Sequence, residues 1–245
     1  MDGNIVGYAL HYSGILIEAA LIIYVAWGRR LKSEFTPAFY VAFLLAADVG
    51  RMCVLRLHGL ASRQYYYVYW STDFLLVMAA FFLVCLFFRR ACLHQEKMWR
   101  FVRLFLVFIF VLVLGISGLI FSRNYKDLFT YFIVEFNQNL YFTCLVLNTL
   151  LYLLLQQIDS ADDQLGLLVC GVGIQFAGPA ATLALVHLTT GEGFAQSLFY
   201  FTIPLCNLGM LLVWAYAIVH VKEKAIQVTR RQIPVLAEVT AHLNI

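Results

Sequence analysis

Five ionisable side chains sit where a lipid-embedded chain can least accommodate them. Glu18, Asp48, Arg51, Asp73 and Glu135 each fall inside a long apolar run. A charge at the centre of a membrane helix costs at least ~2.5–3.5 kcal/mol on insertion scales, so such residues are the first functional suspects. His11 shares a helical face with Glu18, and Gln138 and Asn139 follow Glu135 within one turn. Four acids against one arginine would favour a cation, a hydrogen-bond-donating ligand or protons. Tyr66, Tyr69, Trp70 and Asp73 fall on one helical face and form an aromatic wall ending in a carboxylate, which suits amine or cation binding. A plainer reading stands beside this one. Asp48 and Arg51 are three residues apart and can pair within a helix. Asp73 can reach Arg51 or Arg56 from the next helix, which would make the set structural glue.

The elements that must position these residues follow from composition. The 245 residues are 62% hydrophobic, 16% aromatic and only 13% charged, about half the roughly 25% charge of a soluble domain. That excludes an ordinary soluble globule, a disordered chain and a nucleic-acid binder. The net charge is +3 and the basic residues come in short clusters. Seven apolar stretches, roughly 7–27, 37–57, 67–88, 101–122, 130–155, 165–187 and 196–220, are each long enough to cross a ~30 Å hydrocarbon core as a helix. The expected fold is all-α, a single seven-helix transmembrane bundle over residues 1–221. A short basic, then amphipathic, tail over 222–245 could lie on the inner leaflet.

Twelve of the 17 Lys and Arg residues fall at one end: Arg29, Arg30, Lys32, Arg89, Arg90, Lys97, Arg100, Arg103, Lys222, Lys224, Arg230 and Arg231. The positive-inside rule makes that end cytoplasmic, with the N-terminus outside and the C-terminus inside. The loop over 158–163 departs from the pattern, with Asp159, Asp162 and Asp163 on the basic side. Acidic residues weigh little in the rule. On this orientation the intramembrane charges all lie between mid-membrane and the outer surface, and an outward-opening polar cavity among helices 1, 2, 3 and 5 is expected. The start of the chain has no basic segment or small-residue cleavage site, so helix 1 is expected to act as its own targeting signal.

Other chemistries fit less well. The six cysteines show neither a CxxC nor a pair in outer loops, and read as packing residues. The six histidines lack the spacing of a zinc hydrolase, although His11, His58 and His187 could gather at the outer side around a haem or a metal. Gly115-Ile116-Ser117-Gly118 matches the rhomboid nucleophile motif, but the helix runs the wrong way for one. Trp70-Ser71-Thr72-Asp73 is similar to the third helix of microbial rhodopsins, yet no lysine lies in a membrane core to bind retinal. Pro179, Pro204 and the glycines Gly166, Gly171, Gly173 and Gly178 mark helices 6 and 7 for close approach and bending.

The stretch Arg63–Asp73 (Arg-Gln-Tyr-Tyr-Tyr-Val-Tyr-Trp-Ser-Thr-Asp), followed by an apolar helix ending in Arg89-Arg90, resembles uncharacterised bacterial seven-helix membrane proteins. It is also similar to the membrane-embedded sensor regions fused to some bacterial signalling enzymes. That resemblance implies a stand-alone, non-enzymatic sensor or receptor-like protein of the bacterial inner (plasma) membrane. A small ligand or cation would bind at His11, Glu18, Asp48, Arg51, Tyr69, Trp70, Asp73, Glu135 and Asn139. With no fused output domain, a separate cytoplasmic or membrane protein partner is implied beside the lipid bilayer. Two alternatives are a non-catalytic subunit of a larger membrane complex and a proton- or cation-coupled transporter.

Overall fold

Every apolar run in the sequence becomes one helix, as it must where no water is present to satisfy a free backbone amide. The computed structural model describes residues 2–28, 35–59, 62–93, 95–123, 128–158, 162–188 and 201–219. They form α1 (Asp2–Trp27), α2 (Phe35–His58), α3 (Arg63–Ala91), α4 (Glu96–Arg123), α5 (Leu128–Gln157), α6 (Asp163–Leu188) and α7 (Phe201–Val219). All seven are long and apolar enough to cross a membrane, and the described residues include no strand. The tail over 222–245 lies outside the described residues, as do Arg29, Arg30, Lys32 and the start of the stretch expected at 196.

Local chemistry sets the helix ends. Gly59 takes a φ of 77°, and its N–H donates to the Leu55 carbonyl at 2.9 Å, closing α2 in the left-handed conformation that glycine adopts without strain. Ser62 caps α3, its Oγ accepting from the Tyr65 N–H at 3.1 Å. Asp162 does the same for α6, taking the Leu165 N–H at 3.1 Å. Its carboxylate also receives Arg90 Nε at 2.9 Å and Nη2 at 3.1 Å, and the same Nη2 donates to Gln164 Oε1 at 3.2 Å. This accounts for one of the three acids on the basic side: Asp162 pairs with Arg90 and fixes the start of α6. Replacing Asp162 by alanine should cost about 1–2 kcal/mol, the worth of a lost cap. An SDS or denaturant titration of the purified protein would measure it. Cys92, which follows α3, is also buried, and loss of hydration pushes its thiol above the usual range.

The core is built around α3, α5, α6 and α7. On α5, Phe136, Leu140, Cys144, Leu147 and Leu151 recur at three- and four-residue spacing and are fully enclosed. Val77, Val84 and Phe87 of α3, and Leu168, Val172 and Phe176 of α6, meet them. By contrast α4 buries only a narrow face, including Leu106, Val113 and Ser117, and exposes Phe101, Leu104, Phe108 and Val111. In a bilayer, lipid covers those residues.

Close contact between α6 and α7 depends on glycine. A Cβ on Gly171 would lie 2.6 Å from the Trp214 ring, and one on Gly178 would lie 2.5 Å from Cys206 Sγ. A Cβ on Gly173 would instead lie 3.0 Å from Asn148 Nδ2 of α5, while one on Gly166 would meet nothing within 4 Å among the described residues. The helix α6 continues through Pro179 as one element.

Candidate functional site

Two polar groups form in the bundle. The first joins α2, α3 and α5. Arg51 Nε donates to Thr72 Oγ1 at 2.7 Å, and its Nη2 lies 3.5 Å from Asp73 Oδ1. The same guanidinium rests over the Tyr69 ring, 4.6 Å from the centroid. Asp73 takes a second donor, Asn137 Nδ2, at 2.7 Å on Oδ2. Trp70 packs edge-on against Tyr69 at 5.6 Å and Tyr66 at 6.2 Å. The aromatic wall read from the sequence is therefore present, and the cation it holds is the chain's own Arg51.

The bundle encloses this pair only in part, with side-chain exposures of 18% and 21%. Arg51→Leu should leave Asp73 without its cation and cost about 2 kcal/mol, below the range for fully buried pairs. Arg51→Leu with Asp73→Leu should be less damaging than Arg51→Leu alone. A thermal melt of the two variants checks the order.

The second group joins α1, α2 and α7. Glu18 is completely inaccessible, and its Oε1 accepts from Asn207 Nδ2 at 3.3 Å. Glu18 Oε2 and Asn207 Oδ1 are both buried and have no hydrogen-bond partner among the described residues. Asp48 stands within electrostatic range of Glu18, His11 and Arg51, and so links the two groups. His11 is half-buried and lies edge-on to Tyr12 at 6.3 Å.

Comparison with known protein families, curated proteins and solved structures finds no match. The site therefore stands on its geometry.

The remaining sequence candidates fall elsewhere. Asn139 donates to Ser117 Oγ at 3.4 Å and so ties α5 to α4, away from Asp73. Ser117 is enclosed there as a packing residue within its glycine motif. Glu135 lies on α5 and His187 on α6, but their side chains are outside the described residues. Among the described residues, no three His, Cys, Asp or Glu side chains gather as a metal centre. A cavity of about 410 Å³ lies between α2 and α3, lined by Phe35, Tyr40, Phe43, Phe74, Met78 and Phe82 among others. It has no charged lining residue and is distinct from the polar cavity expected among helices 1, 2, 3 and 5.

Two residues central to the site, Asn207 and Asn137, were not singled out in the sequence. Neutral amides in an apolar run carry less cost than charges, so a search for expensive residues passes over them. Asn137 was legible in one respect. It sits two positions from Asn139, which places the two amides on opposing faces of α5.

Proposed function

We propose that this chain is a receptor-like seven-helix membrane protein without catalysis of its own. Its ligand is a small cation, or a molecule presenting a cationic or N–H donor group, taken at Glu18 and Asn207. The observation that supports this most is the pair of unpartnered acceptors, Glu18 Oε2 and Asn207 Oδ1. Buried polar atoms are nearly always paired, and two acceptors left open on one hydrogen-bonded pair call for a donor between or beside them. Asp48 adds negative charge to the same neighbourhood, whereas Arg51 is already engaged by Asp73 and Thr72. The Lys and Arg distribution supports an N-terminus outside and a C-terminus in the cytoplasm; a bacterial inner membrane and a separate partner reading the response rest on the resemblance of Arg63–Asp73 to bacterial seven-helix sensor regions.

The test is a map of the natively purified protein fine enough to show single waters. Density within hydrogen-bond distance of both Glu18 Oε2 and Asn207 Oδ1 is the expected result. A dry pair, with the two oxygens facing only hydrocarbon, would overturn the reading.

One observation favours the subunit alternative. The charges of the Arg51, Thr72, Asp73 and Asn137 network are paired with one another, as in structural glue, although Asn137 Oδ1 is left without a partner among the described residues. Co-purification of a partner at fixed stoichiometry, with no density at Glu18, would move the assignment there.

A further inference from the structure

The cavity between α2 and α3 leads away from the polar groups. On α3 it runs from Phe74 to Leu86, about 18 Å at ~1.5 Å per residue. The wall from α2 runs from Phe35 to Phe43, with Phe35 and Phe39 stacked at 5.8 Å. Both helices are long and apolar enough to span the membrane, and Phe39, Leu75 and Phe82 keep 59%, 50% and 55% of their surface open. The groove is thus open on its side to whatever surrounds the bundle. An apolar cleft in hydrocarbon does not fill with water. Its volume of about 410 Å³ suits about a dozen methylene-sized units at the ~30 Å³ that a water takes in the liquid.

What stands at its end decides the occupant. Leu75, Ala79, Phe82 and Leu86 line the groove at alternating four- and three-residue steps, so they share one face of α3. The next residue in that series is Arg89, one turn beyond Leu86. Arg89 is exposed and makes no ion pair with a described residue. The adjacent Arg90 turns the other way, into the bundle, to pair with Asp162. The arginine doublet therefore divides: one member holds α6, and the other ends the apolar groove. Near the close of a 29-residue helix, about 43 Å long, Arg89 stands at headgroup level.

We propose that the α2–α3 groove binds one anionic phospholipid, with an acyl chain between Phe43 and Phe82 and the phosphate on Arg89. This site is separate from the Glu18 pair and stands whether or not that reading does. Charge complementarity selects an anionic headgroup, and the shape of the cleft selects a single chain.

Native mass spectrometry of the detergent-purified full chain tests it, with phosphatidylglycerol and phosphatidylcholine as probes. One tightly held phosphatidylglycerol is expected, preferred about fivefold over phosphatidylcholine. Arg89→Gln should abolish the preference, and Arg89→Lys should keep most of it. Ala79→Trp, which fills the groove, should remove the tight lipid of either headgroup. Arg100→Gln, on the exposed start of α4, should change nothing. Equal loss of preference in Arg100→Gln and Arg89→Gln would mean a diffuse basic surface and overturn the proposal. So would a wild-type chain without preference. A measurement without variants guards against misfolding of Ala79→Trp. Phosphatidylglycerol bearing a photoreactive acyl chain should label residues 35–43 and 74–86 in the wild type. Labelling spread evenly along α4 would overturn the site.

Discussion

Trp214→Ala should lower the stability of the bundle by about 3 kcal/mol, near the bottom of the range for aromatic-to-alanine changes in a core. The lower end is expected because lipid is as apolar as the core, so the loss is of packing and not of transfer from water. Trp214 is fully enclosed and touches three other helices. Its Nε1 donates to the Leu168 carbonyl at 2.9 Å, its ring lies 5.9 Å from Tyr40 and 6.5 Å from Phe87, and Gly171 backs against its edge. Alanine would leave a void among α2, α3, α6 and α7 together, and fixed helices cannot all close on it. Gly171→Ala attacks the same contact from the other side, since its methyl would stand 2.6 Å from the indole. That variant should cost about 1–3 kcal/mol by overpacking. In the double variant the methyl meets a vacated space, so the combined loss should fall short of the sum. Refolding equilibria in mixed micelles would measure all three. Simple additivity would show that the glycine and the tryptophan do not act as one contact.

The number of helices was readable because the bilayer imposes it: a backbone in hydrocarbon must satisfy itself, and about 20 apolar residues are needed to cross. The boundaries were less so. The third span was expected from residue 67, yet α3 begins at Arg63, because Ser62 supplies a cap and Tyr65 and Tyr66 continue as helix at the interface. The partners of the charged residues were legible only where neighbours in sequence become neighbours in space. Arg51 and Asp73 lie on consecutive helices, and their pairing was among the options. Glu18 and Asn207 are separated by 189 positions, and nothing in a single sequence says that α1 packs beside α7. The same limit hid Arg90 and Asp162. Each had a simpler role as a topology signal or a loop residue, and their contact depends on how α3 and α6 sit together. The face of α3 from Leu75 to Arg89 was visible as a pattern, but only the structure shows that α2 leaves a groove along it.

Glu18→Gln should remove any stabilisation of the protein by the cation proposed to bind there. A ligand present at a hundred times its dissociation constant adds about 2.7 kcal/mol to a folded state that alone binds it, and loss of the site cancels that gain. The probes are sodium chloride and methylammonium chloride, each compared with choline chloride at equal ionic strength. The wild type should melt higher in at least one of the first two than in choline, and Glu18→Gln should melt alike in all three. The variant in choline should be at least as stable as the wild type in choline. A neutral amide replaces a carboxylate enclosed at membrane depth, and the new N–H group can donate to the open Asn207 Oδ1. The salt response of the wild type, lost in the variant, separates a binding site from a structural one. If Glu18 served only to hold α1 against α7 through Asn207, the substitution would keep or weaken that contact and no salt would matter. A wild type indifferent to both probes would remove the small-cation reading. A salt response that persists in Glu18→Gln would move the site to Asp48 and Asp73, the acids that Arg51 already neighbours.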